Sequence, residues 1–281
     1  MNAAKMMQVN WDELGISNDF LFGKVMRDPE LCKELLQRIL PELDIDHVEY
    51  PELQKEIKPD VDARSVRLDV YVNDGKGTVY DMEMQTIVSP ALPRRSRYYQ
   101  GMMDLQLLDK GQSYTKLNDS FVIFICLSDI FGRGRHKYTF VNTCQEDKEL
   151  ILGDGTTKIF LNANGKLDDV SRELKAFLDY VAGKPAGDAF VTRLDKAVKE
   201  AKKNRKWRHE YMTLLMRDQE NIEKGRQEGR QEGRQEGIQH GEEKLSRLII
   251  CLTADHRISD ITKVTIDKEY RQQLYEEYNI V

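Results

Sequence analysis

The segment "VRLDVYVNDGKGTVYDMEMQT" (residues 66–86) constrains the fold more than any other part of this chain. Two runs alternate apolar and polar residues at the strand period of two, on either side of the turn sequence "NDGKG" (73–77). The pattern predicts a β-hairpin with strands over 66–72 and 78–86. Leu68, Val70 and Val72 share one face of the first strand, with Arg67, Asp69 and Tyr71 on the other. The second strand sets Tyr80, Met82 and Met84 against Asp81, Glu83 and Gln85. Unpaired carboxylates on a packed sheet face are costly. The face is therefore either wet or holds something positive.

The hairpin sits in a mixed pattern. Residues 18–40 carry helix-period apolar positions (Phe22, Val25, Met26, then Leu31, Leu35, Leu36, Ile39, Leu40), with Asn18 or Asp19 as N-cap and a second helix starting at Pro29. A polar connection runs to about residue 64. After the hairpin, "SPALPRRSRYYQGMMDLQLLDKG" (89–111) reads as a helix with Tyr98, Met102, Leu105 and Leu108 at helical spacing. "DSFVIFICLSD" and "HKYTFVNTCQ" read as core strands, and "ILGDGTTKIFLNA" as an edge hairpin around Asp154-Gly155. The order helix, hairpin, helix, strand, strand predicts an α/β fold with a central mixed sheet flanked by helices.

Composition narrows the function classes. The 281 residues are 40% hydrophobic, so a substantial core is available. A formal net charge of −5 argues against a uniformly basic nucleic-acid binder, though not against local basic patches. Cys32, Cys126, Cys144 and Cys251 lack CxxC spacing and read as buried thiols in a reducing compartment. The longest apolar run, "FVIFICL", is a strand and not a membrane span, and "MNAAKMMQVNWDEL" lacks an apolar signal core, so the expected location is cytoplasmic. Five histidines show no HxH or HxxxH spacing and no GxxxxGK[ST] is present, which removes support for a histidine metal site or ATP-driven chemistry.

In an antiparallel hairpin, opposed residues share a constant index sum, here about 150 to 152, which puts Asp69 opposite Asp81 or Glu83 with Cβ atoms about 4.5–5.5 Å apart. Two carboxylates so close repel on a dry face, and a hard divalent cation between them removes the repulsion. The Met84 carbonyl could add a ligand. Such an ion polarises a phosphoryl oxygen and activates water, the equipment for phosphodiester hydrolysis. Arg94, Arg95 and Arg97 open the next helix and could hold backbone phosphates nearby. On residue types alone the commoner reading of such acids is a solvated outer face, and the arginines read equally as a solvated helix start.

"RLDVYVNDGKGTVYDMEMQ" resembles the core of the PD-(D/E)XK nuclease superfamily, with an acid on one strand, a turn, then acid–x–polar on the next. With "NDFLFGKVM", "RSRYYQGMMDLQLLDKGQSYTKLNDSFVIFIC" and the tail repeat, the ordered set is similar to one branch, the recombination-promoting nuclease and transposase family. It spans most of residues 17–240. The resemblance implies a restriction-endonuclease-like core with a helical C-terminal extension, and a Mg²⁺- or Mn²⁺-dependent DNA endonuclease tied to recombination or mobile elements. It implies Asp69 and Glu83 as metal-binding acids. Gln85 stands where many superfamily members have lysine, and can orient water without supplying charge. Asp19 matches an acid that completes the site through water, or is a helix cap. Tyr99 and Gln100 match packing and polar support. Asp60 and Asp62, in "PDVD", read as loop acids.

Beyond residue 167 the pattern turns helical. Residues 193–209 hold eight Lys/Arg against two acids, with Trp207, and read as a DNA-gripping or simply solvated helix. Glycine then recurs at 225, 229, 233, 237 and 241 in "GRQEGRQEGRQEGIQHGEE". Each glycine costs about 0.8–1.0 kcal/mol relative to alanine in a helix. The repeat is either a flexible solvated linker or a helix whose glycine stripe admits a partner helix in a homo-oligomer. The expected division is a nuclease-like domain over 1–185, a basic helical extension over 186–222, the repeat over 223–244 and a small helical segment over 245–281.

Overall fold

In the computed structural model, which describes residues 10–49, 52–57, 66–87 and 89–280, local signals start each helix of the N-terminal region. The Asn18 side chain accepts the Leu21 N–H at 3.1 Å and opens α1 (Asp19–Val25). Asn18 is thus the cap, and Asp19 occupies the first helical position. Asp28 accepts from the N–H groups of Glu30 and Leu31, Pro29 follows, and α2 (Pro29–Ile39) buries Leu31, Cys32, Leu35, Leu36 and Ile39.

The sheet has six strands in the order β1 (Glu52–Ile57), β2 (Val66–Asn73), β3 (Val79–Gln85), β4 (Ser120–Cys126), β6 (Thr156–Asn162), β5 (Lys137–Phe140). The first three are antiparallel, β3–β4 and β4–β6 are parallel, and β5 returns antiparallel on β6. This is the expected α/β fold with a central mixed sheet flanked by helices. β1 lies in the stretch read as a polar connection. Its sequence "ELQKEI" offers too few apolar residues to announce a strand, and pairing with β2 supplies what periodicity did not. Asp60 and Asp62 fall outside the described residues.

The hairpin is closed by Asp74, whose carboxylate accepts the Lys76 and Thr78 N–H groups at 2.9 Å each and the Tyr80 hydroxyl at 2.9 Å. Gly77 takes φ +86°, a left-handed conformation that suits glycine. The register Val70↔Met82 corresponds to the higher expected index sum and sets Asp69 across from Glu83, not Asp81.

The crossover from β3 to parallel β4 is α3 (Leu92–Leu107). Its buried face is Leu92, Ser96, Tyr99, Gln100, Met102 and Met103, while Tyr98 and Leu105 are exposed, correcting the expected apolar stripe. Gln100 donates to the Ser120 hydroxyl, a polar support as expected. The strand roles after β4 also change. β6 is an internal strand paired on both sides and not an edge hairpin, whereas "HKYTFVNTCQ" contributes only the short edge strand β5. A buried parallel strand and an edge strand look alike in a short apolar run.

The helices α4 (Arg172–Val181) and α5 (Ala189–Lys203) pack on each other and on α2, and α5 also packs on α1. The boundary expected at 185/186 falls between α4 and α5, which pack together, and the chain divides into compact units between His209 and Glu210. The basic stretch 193–209 is split between α5, which buries Leu194, Val198 and Ala201, and the start of α6 (Arg205–Ala254). α6 runs unbroken through the boundaries expected at 222/223 and 244/245, and the repeat is helical with residues 223–243 all exposed. In the second unit, Leu248 and Leu252 of α6 bury themselves with Val264 of α7 (Ile258–Ile266) and Leu274 of α8 (Lys268–Glu277). Cys32 and Cys126 are buried free thiols, but Cys144 and Cys251 are half-exposed. No described helix is long and apolar enough to cross a membrane.

Candidate active site

The hairpin ladder opens at its far end, and carboxylates take over its hydrogen bonds. The Asp69 N–H donates to Glu83 Oε1 at 2.9 Å, and the Met84 N–H donates to Asp69 Oδ2 at 3.2 Å. Each acid is thus held by the backbone of the opposite strand, and for Glu83 that bond favours the charged form. The two lie where β3 ends, beside the start of α3, a usual place for a site in a sheet with parallel crossovers. A cleft of about 340 Å³ opens there, lined by Asn18 and Asp19 of α1, Asp69, Met84, Gln85, Thr86, Ile87 and Arg95. The structure thus brings together Asp19, Asp69, Met84, Gln85 and Arg95, with Glu83 bonded directly to Asp69 and Arg95.

The acidic face is not wet. Register places Asp81, Glu83 and Gln85 beside Val122, Phe124 and Cys126 of β4, and α3 covers them. Asp81 and Glu83 are both 0% exposed, which overturns the solvated-face reading. What the face holds is the guanidinium of Arg95. Its Nη2 donates to Glu83 Oε2 at 2.7 Å, its Nη1 to Gln85 Oε1 at 3.1 Å, and its Nε to the Tyr99 hydroxyl at 2.6 Å. The Arg95 charge also lies 4.9 Å from the Tyr99 ring centroid and 5.6 Å from that of Phe124.

Burial first, then the Asp81 and Asp69 charges, pushes the Glu83 carboxyl well above its ordinary value, with Arg95 and the Asp69 N–H opposing. Burial, then the Asp69 charge, pushes Asp81 up likewise. Among the described residues, both Asp81 oxygens are buried without a hydrogen-bond partner. Sequence reasoning did not single out Asp81 or the Arg95–Tyr99 pair. The i, i+4 spacing of Arg95 and Tyr99 was the available signal.

The arginines separate. Arg95 turns into the site, whereas Arg94 and Arg97 are exposed on α3. Asp19 is exposed at the cleft mouth and accepts the Phe20 N–H at 2.8 Å. Among the described residues, no three His, Cys, Asp or Glu side chains converge as a metal-binding group. A cation held by Asp69 and Glu83 would complete its shell with carbonyl, water and phosphate oxygens, the coordination Mg²⁺ prefers.

No curated protein and no solved structure matches this chain. The sequence model of the PD-(D/E)XK nuclease family transposases matches residues 17–173, more than half of its length and all of the site just described. The chain therefore belongs to the PD-(D/E)XK nuclease family transposases.

Proposed function

We infer that this protein is a metal-dependent DNA endonuclease that hydrolyses phosphodiester bonds, with a role in DNA recombination or mobile elements. The observation that carries the reading is a charge imbalance. Asp81 and Glu83 are fully buried at one end of the hairpin beside Asp69, and among the described residues the cation that meets Glu83 is the guanidinium of Arg95. Uncompensated buried charge is costly, and orphaned carboxylate oxygens call for a partner. The donors are all hard oxygens, which suits Mg²⁺ or Mn²⁺.

When bound, such an ion polarises a phosphoryl oxygen and lowers the pKa of water. Asp69, Glu83 and the Met84 carbonyl would hold it. Gln85 would orient the attacking water through its amide, and Asp19 would accept a hydrogen bond from water at the mouth of the cleft. Arg94 and Arg97 would grip DNA phosphates. The exposed repeat of α6 would either stand in solvent or pair copies of the chain, two outcomes that light scattering of the full chain against a truncation near residue 222 separates.

A second reading has its own observation. Arg95 already pairs with Glu83, and Gln85 brings no charge. That arrangement would suit a weak or inactive nuclease fold serving as a DNA-binding or assembly protein.

Supercoiled plasmid nicking with Mg²⁺, Mn²⁺ and EDTA separates the two. Metal-dependent nicking, lost in Asp69→Ala and in Glu83→Ala, is the expected result. DNA retention that falls with salt but no nicking with either metal would favour the second reading. Neither nicking nor retention would remove both.

A further inference from the structure

We propose that Arg95 is a catalytic residue of this site, supplying the positive charge that Gln85 cannot. The assignment rests on the nuclease reading and adds a role to it. Among the described residues lining the cleft, the cation is Arg95. It is also the cation bonded to both Glu83 and Gln85.

Three of its nitrogens are committed at once, to Glu83, Gln85 and the Tyr99 hydroxyl. Fixing an arginine side chain this way opposes the rotamer entropy of a long, flexible stem. Packing alone does not require it, because the side chain remains 36% exposed and could extend into solvent. Arg94 and Arg97, one and two residues away, are exposed. The structure therefore singles out one arginine of three and aims its planar fork at the acids.

Charge accounting gives the fork its task. The carboxylates of Asp69 and Glu83 would bring two negative charges to a divalent cation that they hold, and Asp81 adds a third that the Arg95 charge opposes. Hydrolysis then joins a water oxygen to phosphorus and breaks one P–O ester bond, whose electron pair leaves with the departing oxygen. One proton of the water ends on that oxygen, and the other stays with the new phosphomonoester or passes to solvent. Negative charge gathers on the phosphoryl oxygens as this happens, and a preorganised donor is most effective where charge develops. Gln85 is neutral at every pH of interest. A guanidinium matches two phosphoryl oxygens with parallel N–H groups, keeps its own proton, and forms no covalent bond in the step. The Tyr99 hydroxyl anchors Nε, so turning the fork from Glu83 toward phosphate frees Nη1 and Nη2 without releasing the side chain.

The test uses the full chain, with Arg95→Gln, Arg95→Lys and Tyr99→Phe. Single-turnover cleavage of a linear duplex at saturating DNA with Mg²⁺ is read beside fluorescence-anisotropy binding of the same duplex in Ca²⁺. Arg95→Gln is expected to lose about 100- to 1,000-fold in rate, while its Ca²⁺-supported DNA affinity stays within about threefold of wild type, a loss in the chemical step and not in binding. Arg95→Lys, which keeps the charge, should recover at least about a tenfold share of that loss, and Tyr99→Phe should lose rate by a smaller factor than Arg95→Gln. Three results would overturn the assignment: Arg95→Gln cleaving within threefold of wild type, a loss lying wholly in DNA affinity, or Arg95→Lys as slow as Arg95→Gln. The last would mean that Arg95 only props Glu83. Should Arg95→Gln fail to fold by circular dichroism, Arg95→Lys and Tyr99→Phe carry the test, and wild-type rates in both would refute it. A wild-type chain that does not cleave at all is a different failure, of the nuclease reading itself.

Discussion

The head of β3 and the repeat of α6 are both rich in charge, and they treat it in opposite ways. At β3, Asp81 and Glu83 are fully buried among Phe124, Val122 and Tyr99, with the Arg95 guanidinium bonded to Glu83. In α6, Arg226, Glu228, Arg230, Glu232, Arg234 and Glu236 all stand in solvent. Water screens the second set almost completely, so each charge matters little. The first set has no such screening, so each charge must be matched by a neighbour or by something that binds. Charge density alone therefore says little about function, and burial converts it into chemistry.

The contrast can be broken at its apolar support first. Phe124 stacks on Phe160 at 5.4 Å between centroids and tilts against Tyr99 at 6.1 Å, directly beneath the acids. Phe124→Ala should cost about 3–5 kcal/mol in denaturant unfolding. A loss below 1 kcal/mol would mean that the acid face is not packed as described.

The repeat offers a gain where the acid face offers only losses. A Cβ added at Gly225, Gly229 or Gly233 meets nothing within 4 Å. If the helix is solvated as the structure has it, each Gly→Ala change should stabilise it by about 0.8–1.0 kcal/mol. Circular dichroism at 222 nm would show a stronger helical signal and a later melt for the triple variant. An unchanged curve would mean that the segment is not helical in solution.

Asp188 lies between the two extremes, half-buried and paired. It caps α5 through the Val191 N–H at 2.8 Å and meets Arg38 at 2.5 Å. Burial opposes its ionisation, but the Val191 N–H and then Arg38 outweigh burial and hold the carboxyl below its usual range. A depressed acid contributes stability above its unfolded value and loses it as pH falls through the folded one. Wild type should therefore lose stability on acidification below the usual aspartate range more steeply than Asp188→Asn. Asp188→Ala should lose about 1 kcal/mol at neutral pH from the missing cap. Parallel pH-dependent melts would remove the ion pair from the account.

The smallest effect belongs to the exposed charges themselves. Arg226→Ala and Glu228→Ala should each change stability by less than about 0.5 kcal/mol. A larger shift that depends on protein concentration would show that the repeat is covered by a second copy of the chain, and the contrast with β3 would narrow.

Much of this architecture was legible in the residues. The caps at Asn18 and Asp28, Pro29 at a helix start, the turn after Asn73 and the period-two alternation on each side are local signals, because capping and turn geometry depend on near neighbours. The same alternation placed Asp69 and Glu83 on one face, and the registered hairpin joins them. Strand β1 was not legible because "ELQKEI" carries few apolar residues and is made a strand by pairing with β2, and the internal place of β6 was not, because its partner β4 lies some distance back along the chain. The stripe of α3 was misjudged for a related reason. Its inner face includes the polar Ser96 and Gln100 and carries Arg95 into the acids, so hydrophobic periodicity alone does not point inward there. Residue identity by itself determined that this chain carries two strand-borne acids and an adjacent basic helix start. Only the tertiary structure decided that Asp81 and Glu83 are dry and that Arg95, of the three arginines at the start of α3, meets the acids, because the free energy of a charge is set by what surrounds it and not by the residue that bears it.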